Sequence, residues 1–475
     1  MIALTPWLDK ESKTPIYIQL YSYIKLEIEG GAIAEGSRLP SIRQLSAHLK
    51  LSKNTIETAY QQLIAEGYAE SKLRSGLRVL PLEQPLPTAA SAQSSPVEQP
   101  LRKEWKTTAM PVPRFDFRYG HIEQEKFPHA LWRKSLMDAI QADAKEVFGY
   151  GHPQGGPDLR AEIANYLYES RGVNCSPDQI FLSSGTQQAV SLLCQLLPLT
   201  GKTIAMENPG YDGVRTIFNN HGCTVLPVSL EHDGLSVKEL SRLQASAVYV
   251  TPSHQFPLGM VLPIQKRNRL LQWASGQDSY IIEDDYDSEF RYQGQPIPPL
   301  KALDNEERVI YLGSFSKSFI PAIRLTYIVM PMPLVATFQQ RIQPYSQSVS
   351  PLLGAAMLIF MREGHFERHI RRMRRIYQAK HRALIAAITH HMGSRVEIIG
   401  QKAGLHLILV VHHRQRNELI QLAEGAGIAV YSPAHHWVDS SQCPPTYIML
   451  GFGGMQEGNI EEGIRRLGQA WFGPH

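Results

Sequence analysis

Three groups of polar residues each follow a predicted apolar strand in the larger part of the chain. Lys317 lies in the segment GSFSKSF after the strand RVIYL, and Asp284 and Asp285 end the run SYIIEDD. The segment at residues 185–187 lies at a strand-to-helix turn. A lysine amine can form a Schiff base with an aldehyde, and a carboxylate can keep a ring nitrogen protonated. Free backbone N–H groups at the start of a helix bind an anion such as phosphate.

These three chemistries together are what pyridoxal 5'-phosphate (PLP) requires of a protein: an amine for its aldehyde, an acid for its pyridine nitrogen and a cradle for its phosphate. Each group also has an ordinary interpretation. Ser-Lys pairs are usually surface residues, acidic clusters are usually solvated, and an SGT segment usually caps a helix. Their common position at strand ends within one domain favours a shared cofactor site.

An alternation of short apolar strands with helical patterns must position these groups. Over this length it predicts an α/β fold with a mostly parallel sheet, in which sites lie at the carboxyl ends of the strands. We therefore expect the three groups to lie close together. The predicted strands are QIFLSS, TIAME, TVLPVSL, AVYVTPS, SYIIEDD, RVIYLGS and LTYIVMP.

A second pattern, typical of DNA-binding domains, occupies the first eighty residues. Apolar residues at helical spacing predict a helix over residues 14–30. Ser41 opens a capping box and a short helix, and Ser52 caps a longer one. Two helices joined by a tight turn predict a helix-turn-helix, and residues 68–79 predict a small hairpin, or wing.

The second helix of this motif would place its first turn against the major groove. That turn carries Lys53, Asn54 and Thr55, whose polar and cationic side chains suit contacts to phosphates and base edges. In the wing, Arg74 and Arg78 are expected phosphate contacts. The alternative from the pattern alone is a small helical domain with a polar surface, because generic helix-turn-helix patterns are not specific.

Length and composition divide the chain. Its 475 residues, 43% hydrophobic and 19% charged, indicate a globular protein with two or more domains. Seven prolines fall in residues 81–113, where apolar periodicity is lost, and this predicts a linker. We expect a DNA-binding domain over 1–80 and a large domain over 114–475. Residues 1–80 hold ten Lys/Arg against eight Asp/Glu, so any DNA affinity must come from the placement of charge.

The compartment is predicted from what the chain lacks. Its four cysteines are widely spaced without a CxxC pair, which favours reduced thiols over disulfides or a zinc site. The segment MIALTPWLDKESK has charged residues where a signal peptide needs an apolar run, and no run of eighteen apolar residues occurs. We expect a cytoplasmic protein with no metal and no membrane span.

The segments PIYIQL, GSRLPSIRQLSAHLKLSKNTIETAYQQLIAEGY and SGLRV resemble the winged-helix domain of GntR-type regulators along its whole length. The resemblance implies binding to double-stranded operator DNA. The family usually has Arg where Lys53 lies, and a lysine cannot make the bidentate contacts of an arginine. It usually has Gly where Arg74 lies. The residues that the resemblance places against DNA are Arg38, Ser41, Arg43, Ser52, Lys53, Asn54, Thr55, Arg74 and Gly76.

The large domain resembles fold-type I aminotransferases, and the two halves with their proline-rich linker resemble the MocR subfamily of GntR-type regulators. The resemblance implies that Lys317 forms the Schiff base with PLP, Asp284 pairs with the pyridine nitrogen, Tyr286 donates to the ring oxygen and Tyr211 stacks on the ring. His254 lies in the region of an Asn-Pro motif of the enzymes, and the resemblance places it among the cofactor-binding residues. A homodimer is also implied. The implied phosphate-binding residues are Gly185, Thr186, Gln187, Ser314, Ser316 and Arg324.

One position bears on activity. Enzymes of this fold carry an arginine for the substrate carboxylate in a strand near the C-terminus, and Met449 in TYIMLGFGG lies at that position. Methionine forms no bidentate pair with a carboxylate, so transamination of ordinary α-amino acids is less expected.

We expect a transcriptional regulator, not an enzyme, whose operator binding responds to PLP on Lys317 or to a small amine or amino acid that reacts with it. Two alternatives remain open. One is a genuine PLP-dependent aminotransferase with an accessory DNA-binding domain. The other is a DNA-binding protein whose PLP fold serves only for dimerisation.

Overall fold

The computed structural model of the chain describes residue 4 and residues 6–72, 76–82, 113–142, 147–292 and 297–473. The chain falls into two compact units, Met1–Thr108 and Ala109–His475. No helix in these described ranges is both long enough and apolar enough to span a lipid bilayer.

In its described residues, the N-terminal unit consists of three helices followed by an antiparallel hairpin. One side of each helix is apolar and packs into a common core, in which Ile24, Leu45 and Ile56 are buried. The helices are α1 (Ile16–Glu29), α2 (Ile42–Leu49) and α3 (Lys53–Ala65), and the hairpin strands are β1 (Ala69–Lys72) and β2 (Gly76–Val79).

Side-chain caps define the starts of α2 and α3. The Ser41 hydroxyl accepts a hydrogen bond from the Gln44 backbone N–H at 3.3 Å, and the Gln44 side chain accepts one from the Ser41 N–H at 3.1 Å. Ser52 Oγ accepts from the Thr55 N–H at 3.1 Å. Lys50, with φ of 52°, turns the chain sharply between the two helices. Both predicted caps and the tight turn are confirmed.

The C-terminal unit is organised around a mostly parallel sheet, and all seven strands predicted from the sequence are present in it. The described strands of this unit as far as Val329 are β3 (Phe115–Asp116), β4 (Ile180–Ser183), β5 (Thr203–Asn208), β6 (Thr224–Glu231), β7 (Gly234–Leu235), β8 (Ala247–Val250), β9 (Tyr280–Asp285), β10 (Val309–Ser314) and β11 (Thr326–Val329).

Within the described residues, eight of these strands pair in the order β4-β11-β10-β9-β8-β5-β6-β7. The neighbours from β10 to β6 are parallel, whereas β11 runs antiparallel to both β10 and β4. Because parallel neighbours end at the same edge, the residues that follow β5, β8 and β9 lie together with the end of β10. This edge carries the candidate site.

Apolar residues cover both faces of the sheet. Successive residues of β8 point to opposite sides, so that Tyr249 packs in one cluster with Leu193 and Val248 in another with Leu270. The helices around the sheet are α4 (His129–Ala142), α5 (Pro157–Arg171), α6 (Thr186–Leu196), α7 (Asp212–Asn220), α8 (Val237–Leu240), α9 (Ile264–Gly276), α10 (Leu300–Leu303), α11 (Phe315–Ser318) and α12 (Met332–Ile342).

The last part of the chain forms a smaller layer with its own core. Trp471 is fully buried there, and its indole N–H donates to the Leu419 carbonyl at 2.9 Å. An antiparallel sheet of order β12-β13-β15 packs in this layer, and β14 pairs with β3. The elements are α13 (Pro351–Arg362), α14 (His365–Met392), β12 (Val396–Ile399), β13 (His406–Val411), α15 (Arg416–Gly425), β14 (Ile428–Ala429), β15 (Tyr447–Gly451) and α16 (Glu457–Phe472).

Candidate functional site

A cavity of about 280 Å³ lies at the carboxyl edge of the large sheet. Most of the residues that the sequence analysis assigned to a PLP site line it: Thr186, Gln187, Tyr211, Asp284, Tyr286, Ser314, Ser316, Lys317 and Arg324. The rest of the wall consists of residues that the sequence analysis did not single out: Tyr119, Gly120, Thr251, Phe256 and Pro321.

Lys317 presents a buried amine to this cavity. It lies on the short helix α11 directly after β10, with its Nζ 4.3 Å from the centre of the Tyr119 ring. Burial lowers the pKa of the Lys317 amine to about 8, although the nearby Asp287 carboxylate acts in the opposite direction. With that pKa, roughly one tenth of the amine is unprotonated at pH 7. The unprotonated form is the one that attacks an aldehyde.

The lowered pKa of Lys317 predicts how covalent loading with PLP depends on pH. Because only the neutral amine reacts, the loading rate is expected to rise with pH and to level off above about pH 8. Stopped-flow absorbance at several pH values measures this rate. Nα-acetyl-lysine under the same conditions is the control, and its rate should keep rising towards the ordinary lysine pKa. A protein rate that still climbs steeply above pH 9 would contradict the prediction.

The adjacent carboxylates of β9 have different partners. Asp285 Oδ2 pairs with Arg171 Nη2 at 2.7 Å and accepts from the Tyr311 hydroxyl at 2.7 Å. Asp284 instead lines the cavity and accepts from the Tyr249 hydroxyl. Asp285 therefore joins α5 to the sheet, and Asp284 is the carboxylate of this pair that faces the cavity.

Asp284 fits a positively charged ligand atom. Its Oδ1 is buried and has no hydrogen-bond partner among the described residues, and an unpaired buried oxygen is costly. Burial raises the pKa of Asp284 to about 7, with the Tyr249 hydroxyl acting in the opposite direction. A protonated ring nitrogen beside this oxygen would satisfy it and stabilise the carboxylate form.

A set of donors on neighbouring strands fits an anion. Gly185 precedes α6 with φ of 111°, and a Cβ at this position would lie 2.0 Å from Arg324 Nη2, so glycine is required. The same Nη2 donates to the Ser184 carbonyl at 2.8 Å. The Ser316 N–H donates to Ser314 Oγ at 3.1 Å. A guanidinium, two hydroxyls and a helix N-terminus thus meet in one region, as phosphate binding requires.

His254 lies behind the cavity wall. Its Nδ1 is 3.0 Å from Asp287 Oδ2 and 3.0 Å from the Tyr286 hydroxyl, which also lies 3.0 Å from the His254 carbonyl oxygen. Phe256, two residues further along the same loop, lines the cavity instead. His254 therefore holds Tyr286 in place, whereas the sequence analysis placed it among the residues that touch the cofactor.

The N-terminal unit carries a separate polar surface at the start of α3. Lys53 and Asn54 are exposed there, and Arg38 before α2 and Arg43 in its first turn are also exposed. Gly76 has φ of 81°, and a Cβ on it would lie 2.9 Å from Arg38 Nε, so glycine allows the arginine to lie against the hairpin. The N-terminal unit thus combines a helix N-terminus with exposed cations, the features that bind DNA phosphates.

Three other residues of the expected DNA surface have partners within the unit. The hydroxyls of Ser41 and Ser52 are exposed but act as helix caps, and Thr55 is half-buried with its Oγ1 2.8 Å from Ser52 Oγ. Arg74 lies outside the described residues. The wing is a hairpin as predicted, with Arg78 exposed and its Nη1 donating to the Gly36 carbonyl at 3.3 Å.

Comparison with known proteins finds a family for each unit and relatives that contain both. Residues 120–467 match the family Aminotransferase class I and II, and residues 16–79 match Bacterial regulatory proteins, gntR family. The probable rhizopine catabolism regulatory protein MocR of Rhizobium meliloti is 34% identical over 471 residues, which cover 98% of this chain and 95% of MocR. The chain belongs to the MocR-like family of GntR regulators.

A second relative and a solved structure are also similar to this MocR-like chain. An uncharacterized HTH-type transcriptional regulator of Bacillus subtilis (strain 168), YhdI, is 40% identical over 469 residues, 98% of each chain. The crystal structure of Pyrococcus horikoshii kynurenine aminotransferase in complex with PMP superposes with a TM-score of 0.68 at 26% identity, covering 75% of this chain and 90% of that one. The predicted fold, a winged helix-turn-helix plus a fold-type I aminotransferase-like domain, is confirmed, and this fold implies PLP binding.

Proposed function

We propose that this MocR-like regulator carries PLP on Lys317 and that PLP, or an amine that reacts with it, changes the affinity for operator DNA. One observation supports this most strongly. The cavity joins a reactive amine on Lys317, an unpaired acid on Asp284 and an anion cradle around Arg324. A domain that served only for dimerisation would need none of these three.

The residues present fit PLP, which when bound supplies an aldehyde carbon that condenses reversibly with primary amines. Lys317 would contribute the amine, and Asp284 would hold the proton on the ring nitrogen. The Tyr286 hydroxyl, positioned by His254, would donate to the ring oxygen, and Tyr211 would pack on the ring. The residues that would hold the phosphate are Gly185, Thr186, Gln187, Ser314, Ser316 and Arg324.

The domain acts as a sensor in this proposal, with operator DNA bound by residues 1–80, a linker over 81–113 and PLP bound by residues 114–475 of a homodimer. Met449 supports a sensor more than an enzyme, because it is 4% exposed and packs among Leu258 and Ile408. The shared fold keeps an aminotransferase as the second candidate. Steady-state turnover of an amino donor with a keto acid distinguishes the two.

A gel shift on the chain's own upstream intergenic DNA tests the proposed function. The protein freed of cofactor is titrated onto this DNA alone, with PLP, and with PLP plus candidate amines. The affinity is expected to change by ~5- to 150-fold between these states, the usual range of coupling between two sites. Pyridoxine 5'-phosphate, which lacks the aldehyde, is the matched control. Equal affinity in all states would contradict the proposal.

A further inference from the structure

The part of the cavity wall that remains after the proposed cofactor residues are set aside is uncharged. Among the described residues it consists of Tyr119, Gly120, Thr251, Phe256 and Pro321. We propose that the effector is a primary amine that carries an aromatic or other apolar group and no carboxylate. This inference rests on the proposed function and identifies the class of its effector.

Aromatic rings surround the place where such a group would pack. The Phe256 ring centre lies 5.0 Å from that of Tyr119, 5.9 Å from Tyr211, 6.1 Å from Tyr286 and 4.6 Å from His436. Rings at these separations pack against hydrocarbon and against other rings. The wall therefore favours an apolar group on the effector.

The apolar character continues behind this wall. Met449 packs in a buried cluster with Leu258, Ile408 and Trp437, and Tyr119 packs against the same cluster. A carboxylate placed here would lose its hydration without gaining a cationic partner, which is strongly unfavourable.

The cations that line the cavity already have roles in the proposed cofactor binding. Among the described lining residues they are Lys317, which the cofactor aldehyde requires, and Arg324, which belongs to the anion cradle. Two histidines lie next to the Phe256 ring, but burial lowers the pKa of both His406 and His436. These imidazoles are therefore neutral at pH 7 and do not compensate a carboxylate.

Two arginines near the wall in sequence also have other partners. Arg118 precedes Tyr119, but its Nε donates to the Tyr431 hydroxyl at 3.0 Å and its side chain is 56% exposed. The two terminal nitrogens of Arg215 donate to backbone carbonyls, to that of His436 at 3.0 Å and to that of His435 at 2.7 Å. Both terminal nitrogens of Arg215 are therefore engaged, and neither Arg215 nor Arg118 is among the described residues that line the cavity.

The chemistry of effector binding balances without a further reactant. The nitrogen of the effector amine forms the new C=N bond to the cofactor carbon, and the bond from that carbon to the Lys317 nitrogen breaks. With the C=N nitrogen protonated before and after the exchange, one proton passes from the incoming neutral amine to the Lys317 nitrogen, which leaves as a neutral amine. Nothing is oxidised or reduced, so the state of the sensor follows the amine concentration reversibly.

A matched pair of ligands tests the inference. The PLP-loaded full-length chain is titrated with 2-phenylethylamine and with L-phenylalanine, which differ by the carboxylate, while visible absorbance is followed. The reaction of each compound with free PLP corrects for intrinsic reactivity. After this correction, the amine is expected to give the half-maximal change at a concentration ~10- to 100-fold lower, as for one unpaired charged group. An equal or better response to phenylalanine overturns the inference, and so does a visible band that neither compound changes.

Variants at position 449 sharpen this test. Met449→Arg supplies a cation beside the wall and is expected to reduce or reverse the preference, whereas Met449→Leu should retain it. If Met449→Arg does not fold, the wild-type comparison still decides. Absence of any visible band after PLP addition, before an amine is present, would instead overturn the proposed function, so the two failures are distinguishable.

Discussion

Lys317→Ala protein is expected to develop no protein-bound visible band after incubation with PLP and removal of the excess, whereas the wild-type chain develops one. The reason is positional, because Lys317 is the lysine that lines the cavity among the described residues. Alanine removes the amine and leaves the anion cradle around Arg324 in place. PLP should then bind reversibly and wash out, a complete loss of the covalent signal.

Two controls accompany this experiment. Lys317→Arg keeps a cation at the site but cannot form the covalent link, and it should behave as alanine does. Lys238→Ala removes a lysine of helix α8, which the cavity does not include, and should leave the band unchanged. Thermal unfolding of each variant verifies folding. A persistent band in well-folded Lys317→Ala would refute the assignment of the lysine.

Combined replacement of Arg43 and Lys53 by alanine is expected to abolish the gel shift on operator DNA. Both side chains are exposed at the start of α2 and α3, so the replacements remove no packing. If each side chain contacts a base at about 1–3 kcal/mol, the pair should weaken binding by ~30- to 20,000-fold.

The matched control is Lys10→Ala with Lys13→Ala, which removes the same charge from exposed positions of the same unit. That variant should retain most of the affinity, because the two lysines lie outside the helix-turn-helix. Measurements at several salt concentrations separate a general loss of charge from a specific loss of contacts. A retained shift in the Arg43 and Lys53 variant would refute the proposed recognition helix.

Local patterns were enough to predict the elements and much of the candidate site. The Ser41 and Ser52 caps depend on side chains within three residues, and the strands depend on continuous apolar runs, so both are visible in the sequence. Polar residues at strand ends then define one edge of a parallel sheet, where Lys317 and Asp284 meet.

Other features depend on contacts between distant parts of the chain. Tyr119 follows β3, whose only partner among the described strands is β14, more than three hundred residues later, so no local pattern places it in the cavity. The different roles of Asp284 and Asp285 follow from the position of Arg171 on α5. Phe256 could have been recognised from the sequence, since it directly precedes the proline in TPSHQFPLG.

The strand order has a consequence for which small molecules the protein can distinguish. The acid on β9, the amine after β10, Arg324 before β11 and Gly185 after β4 belong to four neighbouring strands. With a spacing of ~4.8 Å between strands, these four groups span about 14 Å along the edge of the sheet. A molecule can contact all four groups only when an aldehyde, a basic ring nitrogen and an anionic tail are held at matching separations. Under the proposed function, an aldehyde without the ring nitrogen and the anionic tail would meet the amine alone, and we expect it to bind more weakly.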